Sequence, residues 1–466
     1  MEFILNDRLV LKDIENADTL DRVKQQLTLD NPQYILLNNL GKWTGNTPRK
    51  LKFYENSEES PQTLSCPRGF ADRAYKICKE FNEKILLRDE RRVLEPVDIT
   101  FYGTLHDFQK RAVTGDLFKN THGVLSAGTG SGKTVMALYI IASRRQPALV
   151  VVHTVELLRQ WQERIETFLG IPAEEVGIIG GGKFRAGEKL TVGLYQSIRK
   201  RVDELKPIFG HIIVDECHKC PSKTFTEAVS GFDAKFRLGL TATGYRRDKL
   251  DALIFMTLGE LRHTIEKTPL VESGKLCSAQ VVCRQTEFET ILDASLNYPA
   301  VIKALSLDHL RNSLICRDIA MEDRPGIRLV LTDRREHALT LKHMLENNHG
   351  VSSEVLTGNT PKNQRESIVK ALGRGEVSTL MATGQLIGEG FDLPELATLF
   401  LVMPIKFKGR LIQYIGRILR PAEGKSEALI YDYIDLNVGV LKASATTRIE
   451  TYRKEGITVD CKLAEW

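Results

Sequence analysis

The sequence contains no uninterrupted apolar run of the roughly 18 residues that a membrane-spanning helix requires. It shows no basic leader followed by a long apolar core, so a secretory signal peptide is not expected. The eight cysteines are scattered without the spacing of a disulfide framework, and several lie in apolar runs. These absences argue against a membrane-spanning protein and against a disulfide-stabilised secreted domain. We therefore expect a cytoplasmic protein whose thiols are reduced.

The composition is that of a soluble globular protein, with 42% hydrophobic and 27% charged residues. A chain of 466 residues is too long for one hydrophobic core and indicates two to four domains. The formal net charge of +5 favours a nucleic-acid partner. Because the excess is spread over the whole chain, it carries little weight alone.

Short apolar runs alternate with helical patterns from about residue 122, as in βαβ units. The first block contains the runs HGVLSA, ALVVV, TVGLY, HIIVD and RLGLT, and a second block begins with IRLVL at residue 327. Continuous apolar runs of this length are typical of parallel strands buried on both faces. The predicted fold class is therefore α/β, with one parallel-sheet domain at 98–285 and another at 286–466.

Residues 1–97 show mixed helix and hairpin signals and predict a small α+β accessory domain. Its segment GKWTGNTPRKLKFY (41–54) has no acidic residue and combines cations with aromatics. Lys42, Trp43 and Arg49 are therefore candidates for contacts with nucleic-acid phosphates and bases. An exposed hairpin whose aromatics point into the domain core explains the same pattern, and the residues alone leave both interpretations open.

A glycine-rich loop, AGTGSGKT (127–134), lies between an apolar strand and a helical run. Its glycines let backbone N–H groups turn towards phosphate oxygens, while the lysine reaches the β- and γ-phosphates and the threonine hydroxyl reaches Mg²⁺. The usual pattern begins with glycine, and Ala127 stands at that position. The predicted cofactors are ATP and Mg²⁺, bound by Gly128, Thr129, Gly130, Ser131, Gly132, Lys133 and Thr134.

The segment HIIVDECHKC (211–220) admits an ATP-site interpretation and a zinc interpretation. Asp215 follows an apolar strand and suits Mg²⁺, and the adjacent Glu216 suits the base that orients the attacking water. A zinc site requires four ligands, and no second cysteine pair follows Cys217 and Cys220 at finger-like spacing. A redox Cys-x-x-Cys would open a helix of a thioredoxin-like unit, which is absent here. We therefore expect no structural zinc.

The order of these motifs resembles superfamily 2 helicases of the DExH type, over roughly residues 100–440. The nearest likeness is to the group of XPB, RadD and the UvsW-like branch-migration enzymes, including phage members of the T5 type. LHDFQ (105–109) resembles the adenine-reading motif, VVVHTVELLRQW (150–161) motif Ia and LTAT (240–243) motif III. MATGQLIGEGFDLP (381–394) resembles motif V, and QYIGRILRP (413–421) resembles motif VI. Departures are His106, where arginine is frequent, and Gly244, where proline is frequent.

The resemblance implies tandem RecA-like domains and assigns a role to each matching position. It implies adenine contact by Gln109, γ-phosphate contact across the cleft by Arg417 and Arg420, and nucleotide contact by Gly390 and Asp392. It implies coupling of hydrolysis to movement by Thr241, Thr243 and Gln413, and contact with strand phosphates by Thr154 and Thr383.

These features predict an ATP-driven DNA helicase or translocase that remodels branched DNA, with other replication or recombination proteins as further partners. Exposed basic clusters at 198–201, 244–249 and 406–410 predict sequence-independent, salt-dependent binding. Three alternatives stay open: the motor subunit of a nuclease or restriction system, an RNA helicase, and an ATPase switch that senses nucleic acid. We expect action in a bacterial or phage-infected cytoplasm.

Overall fold

The computed structural model describes residues 1–57, 60–128, 130–219, 223–242, 251–265, 277–384, 396–405, 408–420, 422, 425 and 427–461. These residues form two compact units, the first ending at Ile265 and the second containing the described residues from 277 on. None of the described helices is long and apolar enough to cross a membrane.

The N-terminal part of the first unit is a five-stranded sheet with the strand order β5-β6-β2-β1-β7 and a separate two-stranded sheet of β3 and β4. Its elements are β1 (Glu2–Leu5), β2 (Arg8–Lys12), α1 (Ala17–Gln26), β3 (Thr28–Asp30), α2 (Pro32–Asn39), β4 (Lys50–Lys52), β5 (Glu55–Asn56), β6 (Leu64–Pro67), α3 (Ala71–Glu80) and β7 (Leu86–Asp89).

The N-terminal sheet packs directly on the rest of the first unit. Buried Arg68 donates hydrogen bonds of 2.8 Å to the carbonyl oxygens of Asn6 and Ala234. A Cβ at Gly69 would lie 2.5 Å from the backbone nitrogen of Gly259, so only glycine allows this close approach. Met256 belongs to the apolar core of the N-terminal part. The accessory region is therefore joined to the rest of the first unit by packing and not by a linker alone.

The remainder of the first unit is an eight-stranded sheet in the order β11-β10-β12-β9-β13-β14-β8-β15, parallel except for the pairing of β10 with β11. Its strands are β8 (His122–Ala127), β9 (Ala148–Val152), β10 (Gly177–Gly180), β11 (Lys183–Arg185), β12 (Leu190–Leu194), β13 (His211–Val214), β14 (Phe236–Thr241) and β15 (Leu261–Ile265). Its helices are α4 (Asp107–Thr114), α5 (Asp116–Lys119), α6 (Lys133–Arg144), α7 (Val155–Leu169), α8 (Tyr195–Ile198), α9 (Val202–Leu205), α10 (Lys223–Ser230) and α11 (Asp251–Leu258).

The second unit contains a seven-stranded, all-parallel sheet in the order β18-β19-β17-β20-β21-β16-β22. Its strands are β16 (Ser278–Thr286), β17 (Ile327–Thr332), β18 (Ser353–Leu356), β19 (Thr379–Thr383), β20 (Leu396–Leu401), β21 (Glu427–Asp435) and β22 (Thr458–Asp460). Its helices are α12 (Ala294–Leu307), α13 (His309–Met321), α14 (Arg335–His349), α15 (Lys362–Gly373), α16 (Lys408–Ile418) and α17 (Gly439–Lys454).

The two parallel sheets confirm the predicted α/β class with tandem RecA-like domains. Their central strands are buried on both faces, as all five residues of β9 are, which explains the unbroken apolar runs. The predicted boundary at residue 285 falls inside β16. This strand pairs with β21 over nine residues, so it belongs to the second unit and the boundary was placed too late.

The expectation of reduced thiols is contradicted at one pair, because Cys283 and Cys461 form a disulfide. The neighbouring parallel strands β16 and β22 place Val282 opposite Asp460, so the residues that follow them lie side by side with their Cα atoms 5.0 Å apart. Five further cysteines of the described residues lie outside this disulfide and are buried: Cys66, Cys78, Cys217, Cys277 and Cys316.

Candidate ATP site and nucleic-acid contacts

The predicted ATP-site residues of the first unit follow strands that end at one edge of its sheet. Lys133 begins α6 directly after the loop that leaves β8, Asp215 follows β13, and Thr241 ends β14. Strand β14 lies between the other two, with Thr241 opposite Ser126. Because parallel strands share one carboxyl edge, the fold gathers these side chains there, where α/β proteins bind ligands.

The glycine-rich loop has a backbone that only glycine adopts readily. Gly130 and Gly132 have φ angles of +88° and +79°, in the left-handed region. The Lys133 ammonium group donates a hydrogen bond of 2.9 Å to the carbonyl oxygen of Ala127 and lies 3.4 Å from that of Gly128. The Lys133 ammonium group therefore lies within the loop at the N-terminus of α6. A helix N-terminus also favours an anion, so both features suit a bound phosphate.

Gln109 lies in the first turn of α4 and is 5% exposed. Its side-chain oxygen accepts a hydrogen bond of 2.9 Å from the backbone N–H of His106, closing a capping box. A Cβ added at Gly132 would lie 2.4 Å from the Gln109 amide nitrogen. The structure therefore places this amide against the phosphate loop, and its contact with adenine stays a prediction.

Asp215 is oriented by two hydrogen bonds. Its Oδ2 accepts from the indole Nε1 of Trp161 at 2.8 Å, and its Oδ1 accepts from the backbone N–H of Glu216 at 2.9 Å. Burial, together with the charge of Glu216, raises the pKa of Asp215 to about 6, while the Trp161 hydrogen bond and the charge of Lys133 act in the opposite direction. A nearby cation would favour the ionised carboxylate further.

Glu216, the second of the two predicted acids, is linked to Thr241 of motif III through His218. Its φ of +48° is unusual for a non-glycine residue and costs roughly 1–3 kcal/mol, which the surrounding structure must offset. His218 Nδ1 lies 3.2 Å from Glu216 Oε2 and 3.0 Å from Thr241 Oγ1. His218 therefore joins the candidate base to the last residue of β14.

The donor set at this edge fits Mg²⁺. A carboxylate at Asp215 and a hydroxyl at Thr134, in the first turn of α6, are hard oxygen ligands of the kind that Mg²⁺ takes together with phosphate oxygens. The two oxygens of Asp215 already have one donor each, so the carboxylate is fixed in orientation before a metal arrives.

Arg417 and Arg420, the arginines predicted to reach the γ-phosphate across the cleft, belong to the second unit. Arg417 lies in the last turn of α16, and Arg420 follows two residues after the helix ends. Gln413 and Arg417 are four residues apart on this helix and therefore share a face. The backbone around Arg420 is fixed from two sides: Cys277 donates its N–H to the carbonyl oxygen of Leu419 at 2.8 Å, and Lys425 Nζ donates to that of Arg420 at 3.0 Å. Burial lowers the pKa of Lys425 to about 8.

The predicted nucleic-acid residues fall into two groups. Thr154 caps α7, where its hydroxyl accepts the N–H of Leu157 at 3.3 Å, and half-buried Thr383 ends β19. Lys42, Trp43 and Arg49 are exposed on the accessory part, with Trp43 88% exposed. Contact of these side chains with a strand stays a prediction.

Four predicted site residues lie outside the described part of the chain: Thr129, Thr243, Gly390 and Asp392. Cys220 does too. Within the described residues no group of three or more His, Cys, Asp or Glu side chains is arranged to hold a metal ion. Cys217 is fully buried in the apolar core of the first unit. The absence of structural zinc stays a prediction.

Trp161 and His218 are the site residues that the sequence analysis missed. Trp161 belongs to the buried face of α7 with Leu158 and Ile165, so its spacing predicts a core residue. A buried indole N–H requires an acceptor, and that requirement was the available signal. His218 lies between Cys217 and Cys220, a position that suggests a zinc ligand and does not indicate its contacts with Glu216 and Thr241.

Two family profiles match the chain. One is described as type III restriction enzyme, res subunit, and matches residues 99–246; the other is the helicase conserved C-terminal domain and matches residues 310–422. Helicase D10 of Escherichia phage T5 is 26% identical over 336 residues, which is 72% of each chain. The DNA 3'-5' translocase XPB2 of Sulfurisphaera tokodaii is 28% identical over 386 residues, covering 75% of this chain and 84% of the relative.

A solved structure supports the fold. A fragment of the HsdR subunit of a type I restriction enzyme from Vibrio vulnificus aligns with a TM-score of 0.58 at 22% identity, covering 78% of this chain and 69% of that one. Both halves of a helicase motor are matched, each by its own profile. The chain belongs to the superfamily 2 helicases, in the group that contains XPB and the UvsW-like phage enzymes, and is an ATP-hydrolysing helicase.

Proposed function

We propose that this helicase moves along DNA and remodels branched DNA, by fork reversal, branch migration or unwinding, in replication, recombination or repair. The observation that carries the proposal is the shared edge of the first parallel sheet. Lys133, Asp215 and the exposed Arg199 and Lys200, which follow β12 through α8, all lie after strands that end there. Cations beside an ATP site suit a motor that holds a phosphate backbone. We propose that the helicase acts in a bacterial or phage-infected cytoplasm.

The chemistry proposed for this edge is hydrolysis of the terminal phosphate of ATP. Asp215 and Thr134 would hold Mg²⁺, which would supply positive charge to the phosphates of the nucleotide. Lys133 neutralises charge on the same phosphates. Glu216 orients a water molecule and accepts its proton, and Arg417 and Arg420 stabilise the charge that develops during transfer.

Movement is proposed to follow from the link between Glu216 and Thr241. His218 contacts both side chains, so a change in the charge or hydrogen bonding of Glu216 during hydrolysis alters the partner of Thr241. Thr241 ends β14, and the resemblance assigns coupling to Thr241 and to Thr243 of the LTAT motif. A cycle of lobe opening and closure would then step the protein along the strand.

The deciding experiment compares ATPase stimulation by single-stranded DNA, duplex, fork, Holliday junction and RNA at one salt concentration. We expect branched DNA to stimulate most. Strand displacement and branch migration measured on the same substrates separate a motor from a switch, since a switch hydrolyses ATP without either. Greater stimulation by RNA than by any DNA would contradict the proposal.

The match to the restriction-enzyme res profile favours a second candidate, the motor subunit of a nuclease or restriction system. Such a motor would translocate on plain duplex and would need a separate cleaving partner, because the sequence contains no evident nuclease motif such as PD…ExK. Displacement of a triplex-forming strand from linear duplex, without preference for forks or junctions, would favour this candidate.

A further inference from the structure

The accessory part carries a projection, defined here as residues 28–52, which runs from β3 through α2 to β4. Its base is closed by Asn31, which is 6% exposed. The Asn31 side chain donates to the carbonyl oxygen of Pro48 at 2.8 Å, and its backbone N–H donates to that of Arg49 at 3.0 Å. Its side-chain oxygen also caps α2 at Gln33. The projection is therefore an anchored structure and not a loose loop.

The loop that follows α2 is also ordered by its own backbone. Lys42 donates its N–H to the carbonyl oxygen of Leu37 at 2.9 Å, and Thr47 donates to that of Thr44 at 3.0 Å. Gly45 has a φ of +52°, and a Cβ there would lie 3.2 Å from the Trp43 ring. Glycine at this position lets the loop turn beside the indole, which is held at the surface.

Large apolar side chains of this projection face solvent. Helix α2 buries no residue, and Ile35, Leu36 and Leu40 are 43%, 59% and 55% exposed. Trp43 is 88% exposed. In contrast Phe53 and Tyr54, just beyond the projection, pack against the N-terminal core. Phe53 and Tyr54 thus stabilise the domain whereas Trp43 does not, and clustered exposed apolar groups usually mark a binding surface.

The net positive charge of the projection favours a negatively charged partner. It carries four cationic side chains, Lys42, Arg49, Lys50 and Lys52, against one acidic side chain, Asp30, which pairs with Lys50 at 3.3 Å. An open cleft of about 400 Å³ lies between α2 and Arg49 and is lined by Tyr34. Cations beside an exposed indole fit a phosphate backbone with an unstacked base.

We infer that the projection binds the branch point of DNA, with Trp43 stacked on an unpaired base and Lys42 and Arg49 on the flanking phosphates. The inference rests on the proposed function and names the part of the protein that would recognise the branch. Intact duplex offers base faces only at its ends, whereas forks and junctions present them at the branch. Trp43 therefore discriminates branched DNA from linear duplex, and the two cations do not.

Binding of fork, single-stranded and long duplex DNA by Trp43→Ala tests this inference, measured by fluorescence anisotropy at fixed salt. Loss of one stacked base costs about 1–3 kcal/mol, so the dissociation constant for the fork should rise about 5- to 150-fold. Affinity for duplex should change less than about twofold. Trp43→Phe, which keeps an aromatic face, should recover part of the fork affinity. Tyr102→Ala, an aromatic 69% exposed in the same unit, is the matched control.

A base analogue gives an independent readout. We expect 2-aminopurine at the branch to be quenched by the wild type and to stay bright with Trp43→Ala. Lys42→Ala and Arg49→Ala should each lower the salt slope of binding by about 0.9, for fork and duplex alike. Wild-type fork affinity and quenching in Trp43→Ala, or equal loss on fork and duplex, would overturn the inference. A wild-type ATPase that no DNA stimulates would instead overturn the proposed function.

Discussion

The indole Nε1 of Trp161 donates a hydrogen bond of 2.8 Å to Oδ2 of Asp215, 54 residues further along the chain. Both side chains are buried, at 1% and 7% exposure. The bond joins the buried face of α7 to the end of β13, so the helix that carries motif Ia also fixes the carboxylate proposed to hold Mg²⁺. Partners of this kind orient ligand side chains and influence metal affinity.

Trp161→Phe is expected to weaken Mg²⁺ binding while leaving the fold intact. The phenyl ring fills most of the indole volume but removes the donor, and a hydrogen bond to a charged group contributes about 1.5–3 kcal/mol. The Mg²⁺ concentration for half-maximal ATPase should rise about tenfold or more, with a smaller change in the rate at saturating Mg²⁺. Titration of Mg²⁺ affinity by competition with a fluorescent chelator checks binding apart from activity. Phe209→Leu, a core aromatic in the same unit, is the control for lost packing; an equal effect of both changes would contradict the prediction.

Glu216→Gln should bind ATP and fail to turn it over. The amide keeps the size of the side chain but cannot accept a proton, so the turnover rate should fall about 10²- to 10⁴-fold. Binding of a fluorescent ATP analogue should stay close to that of the wild type. Lys133→Ala, which removes the cation of the phosphate loop, should lose binding as well as turnover. Hydrolysis by Glu216→Gln at the wild-type rate would show that another group is the base.

Arg417→Ala and Arg420→Ala should each hydrolyse ATP slowly while still binding it. An arginine that stabilises the charge on the transferred phosphate contributes roughly 10³- to 10⁵-fold to the rate of related phosphoryl transfers. Arg374→Ala is the matched control, since its side chain is 70% exposed in the same unit. Single-turnover hydrolysis with saturating ATP separates the chemical step from binding. Rates within tenfold of the wild type for both variants would remove the proposed role.

Much of the motor was predictable because each signal is local. Strands β8 and β9 agree residue for residue with the runs HGVLSA and ALVVV, since parallel strands buried on both faces favour apolar side chains at successive positions, although β8 also buries His122 and Ser126. Lys133 begins a helix after the glycine-rich turn, and Asp215 follows the strand formed by the apolar run, as the sequence predicts; the roles of both residues stay predictions.

The missed features depend on residues far apart in sequence. Strand β16 follows the strands of the first domain along the chain, so the sequence assigns it to that domain. Its partner β21 begins 149 residues later, with Glu427 opposite Ser278. The disulfide of Cys283 with Cys461 follows from the same sheet. Trp161 looked like an ordinary core residue because helical spacing reports that a side chain is buried and does not report which acceptor its N–H meets.

Cys217→Ala combined with Cys220→Ala should leave metal content and ATPase unchanged. The Cys217 side chain lies in an apolar core beside Gly239, where a Cβ would be 3.2 Å from its sulfur, so the thiol acts as a small hydrophobic group. Elemental analysis of wild type and variant checks the metal, and a steady-state assay checks the activity within about twofold. Stoichiometric zinc in the wild type that disappears in the variant would restore the zinc interpretation.

Arg68→Leu should destabilise the first unit, because Arg68 links the N-terminal sheet to the rest of that unit. Its guanidinium group satisfies the carbonyl oxygens of Asn6 and Ala234, and each buried acceptor left without a donor costs about 1–3 kcal/mol. The free energy of unfolding in urea should fall by at least that amount. Arg88→Leu is the control, because its side chain is 62% exposed and its ion pair with Glu90 lies at the surface. If both substitutions change stability by less than about 0.5 kcal/mol, the size of an ordinary surface effect, Arg68 does not hold the accessory part on the motor.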